Sequence, residues 1–180
     1  NIRGVKIAYP STGADLKGLI KSAYYDPNPV VIFEHKGLYW SKIEGTEDAR
    51  TIEPDEDYII PFGQCRIVQE AAAGKDTLSV ITYGMGVYWA IAAAANFPAK
   101  VEIIDLRTLN PLDEKGIFQS VKKHGRCLVV TEEPPNNSFA QALAGKIQDE
   151  CFAYLDAPVR VIGSENLPAI PLNSTLEETM

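Results

Sequence analysis

The chain has 180 residues, of which 46% are hydrophobic and 23% are charged, and it carries a formal net charge of −7. This composition is that of an ordinary globular protein rather than of a disordered or fibrous one. No apolar run reaches the roughly 20 residues of a membrane-spanning helix, and the negative charge disfavours a nucleic-acid surface. The acidity suits either a basic protein partner or plain solubility.

Two features bear on where the chain comes from and where it works. Its start has neither an initiator methionine nor the residue order of a signal peptide, so we expect an excised fragment or a processed chain. Cys65, Cys127 and Cys151 stand in apolar surroundings without a CxxC motif or a histidine pair. This pattern predicts buried free thiols rather than disulfides or a metal site, and hence a reducing compartment, the cytoplasm.

The first 40 residues predict a strand, a helix and a second strand, in that order. Residues 5–9 form a short apolar run, and Ser11 or Thr12 then caps a helix that extends to about residue 25. Asp15 lies in the first turn of this helix, where the dipole favours a negative charge. The run VVIFE at residues 30–34 is continuously β-branched and aromatic, which predicts a strand covered on both faces.

The regular pattern breaks between residues 37 and 57. This stretch contains Gly45, Pro54 and a group of acidic residues: Glu44, Glu47, Asp48, Glu53, Asp55, Glu56 and Asp57. We interpret residues 41–62 as a linker that crosses the surface between two domains. One long loop inside a single domain is the alternative, which the usual lengths of loops disfavour.

A second unit of alternating strands and helices follows the linker. Its strands are predicted at residues 66–70, at an edge of the sheet, and at 76–82, 100–105, 127–131 and 159–162. This alternation predicts an α/β fold of three layers, in which a mostly parallel sheet has helices on both faces.

The helices of this unit are predicted from their start and stop signals. The first helix is Ala-rich and follows Gly84-Met85-Gly86, and the second opens at Asn110-Pro111-Leu112-Asp113 and ends at His124-Gly125. Asn137 or Ser138 caps the third helix. Asn173-Ser174 could start a fourth helix.

The turn Gly84-Met85-Gly86 is the first candidate for chemistry. It follows a strand and opens a helix, where exposed backbone amides can bind a phosphate group. It lacks the third glycine of a dinucleotide-binding motif and the lysine of a Walker motif. A tight turn between a strand and a helix is the interpretation that we prefer.

Other ionisable residues also follow predicted strands, where α/β proteins carry ligands. Glu34-His35-Lys36 could supply a general base or a phosphate contact, although a structural ion pair at a domain edge is preferred. Glu132-Glu133 could do acid–base work, but without a nearby base, nucleophile or ligand set we prefer a solvated or interface patch. Asp105 and Arg107 could pair internally or across an interface, and His124 suits a helix C-terminus. Residue chemistry alone therefore identifies no active site.

Several strings of the sequence resemble one enzyme family. YPST at residues 9–12, DLKGL at 15–19 and NPVVIFEHK at 28–36, with Leu38-Tyr39, resemble the end of the pyrimidine-binding domain in β subunits of thiamine-diphosphate-dependent 2-oxo acid dehydrogenases. ITYG at 81–84, IDLRTLNPLD at 104–113, SVKK at 120–123 and LDAPV at 155–159 resemble the transketolase-like C-terminal domain of the same family. Order and spacing agree over nearly the whole chain, apart from the linker.

The resemblance implies that residues 1–40 are the partial end of a pyrimidine-binding domain and that residues 63–180 are a transketolase-like C-terminal domain. The family oxidatively decarboxylates a 2-oxo acid, of the branched-chain or pyruvate type, on thiamine diphosphate. It then acylates a lipoyl-lysine of an acyltransferase core, and the cofactor supplies the carbanion chemistry.

The parts of the family's active site lie outside the matched region. Its activating glutamate and catalytic histidine lie upstream, and its diphosphate and magnesium site lies in the α half. The resemblance therefore implies no catalytic, cofactor-binding or metal-binding residue in this chain. It implies a non-catalytic fragment that binds neither thiamine diphosphate nor magnesium, although the parent enzyme needs both.

The resemblance also implies three partners: the α half, a second β half, and the binding module of the acyltransferase core. The family's docking surface corresponds to Phe152, Leu155 and Asp156, an apolar anchor beside an acid. The alternative is that Phe152 is the last core residue of its helix. The departures at Asn136-Asn137-Ser138 and at residues 168–177 look like the variant in which the α and β halves are fused in one chain.

Two rival interpretations remain open. The chain could be the C-terminal domain of a transketolase or a deoxyxylulose-phosphate synthase, against which the string Glu34-His35-Lys36 argues. It could also be a stand-alone α/β domain that binds a ligand at the Gly84-Met85-Gly86 turn.

Overall fold

The computed structural model describes residues 3–40, 43–72, 76–167, 173 and 175. Its strands are β1 (Lys6–Ala8), β2 (Val30–Ile32), β3 (Arg66–Gln69), β4 (Leu78–Thr82), β5 (Val101–Asp105), β6 (Thr108–Asn110), β7 (Cys127–Val130) and β8 (Arg160–Ile162). Its helices are α1 (Gly13–Tyr25), α2 (Gly86–Ala94), α3 (Glu114–His124) and α4 (Phe139–Cys151), with 3-10 turns at Lys36–Leu38, Glu47–Ala49 and Phe152–Tyr154. The helix start predicted at Asn173-Ser174 lies mostly outside these ranges.

The larger sheet has five strands in the order β3-β5-β4-β7-β8. Strands β5, β4, β7 and β8 run parallel, and β3 pairs with β5 in the antiparallel direction at the edge. Alternate residues face opposite sides, so Val80 packs with α2 while Ile81 packs with α3 and α4. The predicted three-layer α/β fold, with helices on both faces and an edge strand at residue 66, is confirmed.

The strands of this sheet are largely apolar because the sheet lies in the core of the molecule. Both faces are covered by helices, so neither set of alternating side chains meets water. The most completely buried large side chains here are Ile81, Ile103, Ile104, Leu106, Ile117, Val121, Val129 and Ile147. Each contributes roughly 1.5–3 kcal/mol to folding through the burial of its apolar surface.

Side-chain and glycine caps define the helix ends. Thr12 accepts from the Asp15 amide at 3.1 Å and Ser138 accepts from the Gln141 amide at 3.0 Å, so each begins its helix. Gly125 ends α3 with φ of +70°, a left-handed conformation that glycine adopts without a Cβ penalty. The caps predicted at Thr12, Ser138 and Gly125 are confirmed.

The smaller sheet has the order β2-β1-β6 and joins the two parts of the chain. Strand β1 pairs in parallel with β2, and β6 pairs with β1 in the antiparallel direction, with Ile7 opposite Asn110. The prediction of a helix opening at residues 110–113 is wrong for Asn110, which belongs to β6, since α3 begins only after its cap, Asp113. A pairing between such distant segments leaves no local signal in the sequence.

Strand β2 differs from its prediction. It is an edge strand of three residues, and Val31 and Phe33 are 41% and 50% exposed. Helix α1 packs on one side of this sheet, where Leu19 meets Ala8 and Ile32. The prediction of cover on both faces is wrong, because Val31 and Phe33, on the opposite side, remain largely exposed.

The segment between the two parts of the chain runs along α1. Lys17 Nζ donates to the Pro54 carbonyl at 2.6 Å and lies 2.9 Å from Oε1 of Glu53. Ile60 is buried against α1, where a Cβ atom at Gly18 would lie 2.7 Å from its side chain. The segment is therefore anchored to the first part of the chain, although most of its acidic side chains are exposed.

Candidate functional site

Two of the predicted ionisable groups meet where the sheets come together. His35 follows β2, Glu132 follows β7, and Nε2 of His35 lies 3.2 Å from Oε1 of Glu132. Nδ1 of His35 is buried and has no hydrogen-bond partner among the described residues. The structure thus gives His35 of the string Glu34-His35-Lys36 a contact within the chain, which is an ion pair when the imidazole is protonated. Sequence reasoning found both groups separately but not their contact.

Aromatic rings pack beside this pair. The Tyr9 ring lies between Phe33 and Tyr83, with centroid distances of 5.8 and 5.5 Å, and Tyr83 meets Phe139 edge-on. Burial, assisted by the Glu132 carboxylate, raises the pKa of Tyr9 to about 12. Burial also raises the pKa of Tyr83. Both phenols therefore stay protonated at neutral pH and cannot act as bases.

Glu133 closes the N-terminal end of α4. Its Oε1 accepts a hydrogen bond from the Ala140 amide at 3.4 Å and another from the Tyr83 hydroxyl at 3.3 Å. A helix N-terminus favours a carboxylate in this position. The predicted solvated or interface patch does not hold for Glu133, which caps a helix, whereas Glu132 contacts His35 between the two parts of the chain and keeps 38% of its side chain exposed.

The turn Gly84-Met85-Gly86 is closed to a phosphate group. A Cβ atom at Gly84 would lie 2.7 Å from the Tyr9 ring, and one at Gly86 would lie 2.1 Å from Oγ1 of Thr82. The amide of Gly86 already donates to the Tyr83 carbonyl, and the next amide donates to the Gly84 carbonyl. The phosphate interpretation is wrong, and the tight strand-to-helix turn is confirmed.

Four charged side chains join α1 to the five-stranded sheet. Arg107 Nη1 donates to Oδ1 of Asp15 at 3.1 Å. Arg66 Nη2 lies 3.3 Å from Oδ2 of Asp105 and 3.6 Å from Oδ2 of Asp15. Of the two alternatives for Asp105 and Arg107, pairing within the chain is confirmed. This ion cluster fixes the first 40 residues on the second part.

Asp105 is the most buried member of that cluster. Burial raises its pKa, whereas a hydrogen bond from the Ser11 hydroxyl at 2.5 Å and the charge of Arg66 act in the opposite direction. A buried carboxylate needs such partners, because an unpaired charge in the interior is strongly unfavourable. The role of Asp105 is therefore structural.

A second polar cluster lies beneath α3. His124 Nδ1 is 2.7 Å from Oγ1 of Thr77, and its Nε2 is 3.3 Å from Oε2 of Glu102, which also accepts from Lys123 at 2.6 Å. Burial opposes ionisation of Glu102, but hydrogen bonds from Lys123 and Ser120 and the nearby imidazole of His124 hold its pKa below the usual value. The hydroxyl, imidazole and carboxylate lie in series as in a hydrolytic triad, yet all three are buried. The cluster therefore fastens α3 to the sheet.

The signal for that cluster was present in the sequence but was missed. Glu102 interrupts the apolar strand run KVEIID, where a charge must find a partner. The position of His124 in the sequence indicates only a favourable place in the last turn of its helix. The lysine and histidine that end α3 supply the partners that Glu102 needs.

The three predicted docking residues lie together after α4. Phe152 is 74% exposed, whereas Cys151 before it is fully buried, so Cys151 is the last core residue of the helix. Leu155 packs against the core, and the Asp156 amide donates to the Gly125 carbonyl at 2.7 Å. The Asp156 side chain is 69% exposed. An exposed ring and an exposed carboxylate thus project from a turn, which we call the docking turn (Phe152–Asp156).

The described residues offer no ligand set for a metal ion, since no three His, Cys, Asp or Glu side chains within them are suitably grouped. The three thiols are free. Burial raises the pKa of Cys65 and of Cys127 to about 12 in each case. These thiols are therefore protonated at neutral pH and poor as nucleophiles or ligands.

Comparison with known proteins assigns the chain to a family. The family model described as the transketolase C-terminal domain matches residues 63–180. The chain belongs to the transketolase C-terminal domain family. A solved structure titled "Split gene transketolase, inactive beta4 tetramer" supports the same fold for this member of the family, with a TM-score of 0.70 and 16% identity over 98% of this chain and 53% of that one.

Curated relatives of this transketolase C-terminal domain protein are β subunits. It is 38% identical to the pyruvate dehydrogenase E1 component subunit beta of Rhizobium meliloti and 36% identical to the 2-oxoisovalerate dehydrogenase subunit beta of Bacillus subtilis. It is 38% identical to the acetoin:2,6-dichlorophenolindophenol oxidoreductase subunit beta of Cupriavidus necator. Each match covers 99% of this chain but 37%, 52% and 50% of the respective relative. The predicted resemblance to β subunits of 2-oxo acid dehydrogenases is confirmed.

The chain thus spans about half, or less, of these relatives' length. In the described ranges, no helix combines the length and the apolar character that crossing a membrane requires.

Proposed function

We propose that this chain is the assembly and docking part of the β half of a thiamine-diphosphate-dependent 2-oxo acid dehydrogenase. The parent enzyme would oxidatively decarboxylate a 2-oxo acid of the pyruvate or branched-chain type and acylate lipoyl-lysine of an acyltransferase core. Similarity to β subunits of both types supports this activity. The free thiols support our proposal of a reducing location, the cytoplasm.

We propose that the cofactor binds outside the described residues of this chain. Thiamine diphosphate binds through its diphosphate and a magnesium ion, which needs oxygen ligands. The described residues provide no such ligand group, and the one glycine turn that could have met a phosphate is blocked by Tyr9. We therefore assign cofactor binding, and with it catalysis, to other parts of the parent enzyme, including its α half.

The observation that carries the docking proposal is the exposure of Phe152 next to Asp156. An aromatic side chain left 74% exposed directly after the buried Cys151 is well suited to anchor a partner. The amide of Asp156 donates to the Gly125 carbonyl, so the backbone position from which its carboxylate projects is fixed before binding. A basic binding module of the acyltransferase core would gain buried area from the ring and orientation from the acid.

The docking proposal is tested by Asp156→Lys, measured by calorimetry against the binding module of the cognate acyltransferase. We expect binding to weaken by at least about tenfold, because attraction becomes repulsion. The melting temperature should stay the same, since the 3.9 Å contact of Asp156 with Arg126 is between exposed groups.

The matched control is Glu56→Lys, which makes the same charge change on the acidic segment between the two parts of the chain. Glu56 is exposed, and we expect binding to change little. If Glu56→Lys weakens binding and Asp156→Lys does not, the module docks on the acidic segment and the assignment to the docking turn is wrong.

A second candidate activity rests on one comparison. The acetoin oxidoreductase β subunit is as similar to this chain as the pyruvate dehydrogenase subunit is, at 38% identity. An acetoin-cleaving parent enzyme is therefore the alternative. Assaying the complete enzyme with pyruvate, with branched-chain 2-oxo acids and with acetoin distinguishes the two.

A further inference from the structure

The docking turn lies against a cation of its own chain. Nε of Arg126 is 3.9 Å from Oδ2 of Asp156, and Nη1 of the same guanidinium donates to Oδ1 of Asp76 at 3.3 Å. Arg126 directly follows Gly125, whose carbonyl accepts the hydrogen bond from the Asp156 amide. One arginine therefore bridges a carboxylate of the docking turn and a carboxylate that precedes β4.

A second cation lies beside the same turn. Nζ of Lys122, in the last turn of α3, is 5.1 Å from the centroid of the Tyr154 ring. Tyr154 is 56% exposed, so this contact is at the surface. Positive charges thus flank the docking turn, and a basic partner meets repulsion from Lys122 and Arg126 as it approaches Asp156.

The two contacts of Arg126 are unequal. Its contact with Asp76 is a hydrogen bond, whereas its contact with Asp156 is a looser ion pair. The side chains of Arg126, Asp76 and Asp156 are 44%, 70% and 69% exposed, and an ion pair between exposed groups contributes little to stability. The guanidinium can therefore leave Asp156 easily while it keeps its contact with Asp76.

We propose that Arg126 is an autoinhibitory residue of the docking turn: it pairs with Asp156 in the free chain and stays with Asp76 when a basic module binds. The inference rests on the proposed docking function and adds its regulation. A cation of the module must replace Arg126 at Asp156 and then lies close to the displaced guanidinium, so Arg126 lowers the affinity. Asp76 limits this loss, because it keeps a carboxylate beside the displaced guanidinium.

Calorimetric titration of the 180-residue chain with the binding module of the cognate acyltransferase tests this role. Arg126→Gln removes the competing charge, and we expect the Kd to fall by about threefold, the effect of one exposed ion pair. The matched control is Arg50→Gln, which removes the same charge from an exposed position between the two parts of the chain. That control should change the Kd little.

The role of Asp76 is tested by a double-mutant cycle. Asp76→Asn removes the competing carboxylate, so Arg126 turns to Asp156 and the Kd should rise by about threefold. Asparagine also tolerates the left-handed backbone at this position, where φ is +69°. In the Arg126→Gln background the same substitution should have little effect, because Asp76 acts through Arg126. Thermal denaturation should give each variant a melting temperature close to that of wild type, since these side chains are exposed.

The outcomes separate this inference from the docking proposal. Absence of binding by the folded wild-type chain overturns both. Binding that Asp156→Lys weakens, but that Arg126→Gln leaves unchanged or weakens, overturns the role of Arg126 alone. An equal effect of Asp76→Asn in both backgrounds overturns the part assigned to Asp76, because Asp76 would then act through its own charge.

Discussion

Contacts between individual charged residues hold the two parts of this chain together. Arg107 donates to Asp15 of α1, and His35 pairs with Glu132 beyond β7, so each contact spans more than ninety residues of sequence. Both arginines near Asp15 and Asp105 lie at least partly out of water, where an ion pair stabilises only if it is complete. The sequence shows each of these residues but not its partner, because pairing depends on the fold.

We expect Arg107→Ala to destabilise the chain by about 3 kcal/mol or more, because Asp15 would remain buried with Arg66 as its nearest cation at 3.6 Å. The control is Arg126→Ala, since Arg126 pairs with Asp76 where both side chains are exposed. That change should alter the free energy of unfolding by less than about 1 kcal/mol. Urea denaturation measures both, and equal losses would show that the Asp15 cluster is not what joins the two parts.

Secondary-structure elements were predictable where their signals are local. The caps at Thr12 and Ser138 and the left-handed end at Gly125 depend on a few adjacent residues, and all three were found. Strand β6 was missed, since Asn110-Pro111 reads as the approach to a helix while its pairing partner is β1. The prediction that β2 is covered on both faces was wrong, because the sequence of an apolar strand does not show whether both of its faces are packed.

The central position of β7 gives a prediction for an element. Val129 is fully buried between β4 and β8, with Ile81 and Val161 as its neighbours in register. We expect Val129→Asp to lower the free energy of unfolding by about 3 kcal/mol or more, because an unpaired charge would enter the core. Ile162→Asp on the edge strand, where the side chain is 56% exposed, should change it by less than about 1 kcal/mol. Similar losses in thermal denaturation would contradict the sheet order.

At the scale of the whole molecule, contacts that stabilise the fold and contacts proposed for partners use different residues. Its ionisable groups that looked catalytic are occupied by contacts inside the chain: His35 with Glu132, Glu133 with α4, and His124 with Glu102. Of the residues singled out for a role, Phe152 and Asp156 of the docking turn are the ones whose side chains project into solvent. Composition and periodicity predicted the α/β fold, but the resemblance to β subunits was needed to predict docking, because no local pattern distinguishes an anchor from a core residue.

Binding of a basic module to an acidic, partly apolar surface is the central proposal for this chain. Calorimetric titration of the 180-residue chain with the binding module of the cognate acyltransferase, at low and at high salt, tests that claim most directly. We predict saturable binding at low salt, with a Kd that rises as salt screens the attraction between the two surfaces. Absence of saturable binding at low salt, with a folded chain, would contradict the account.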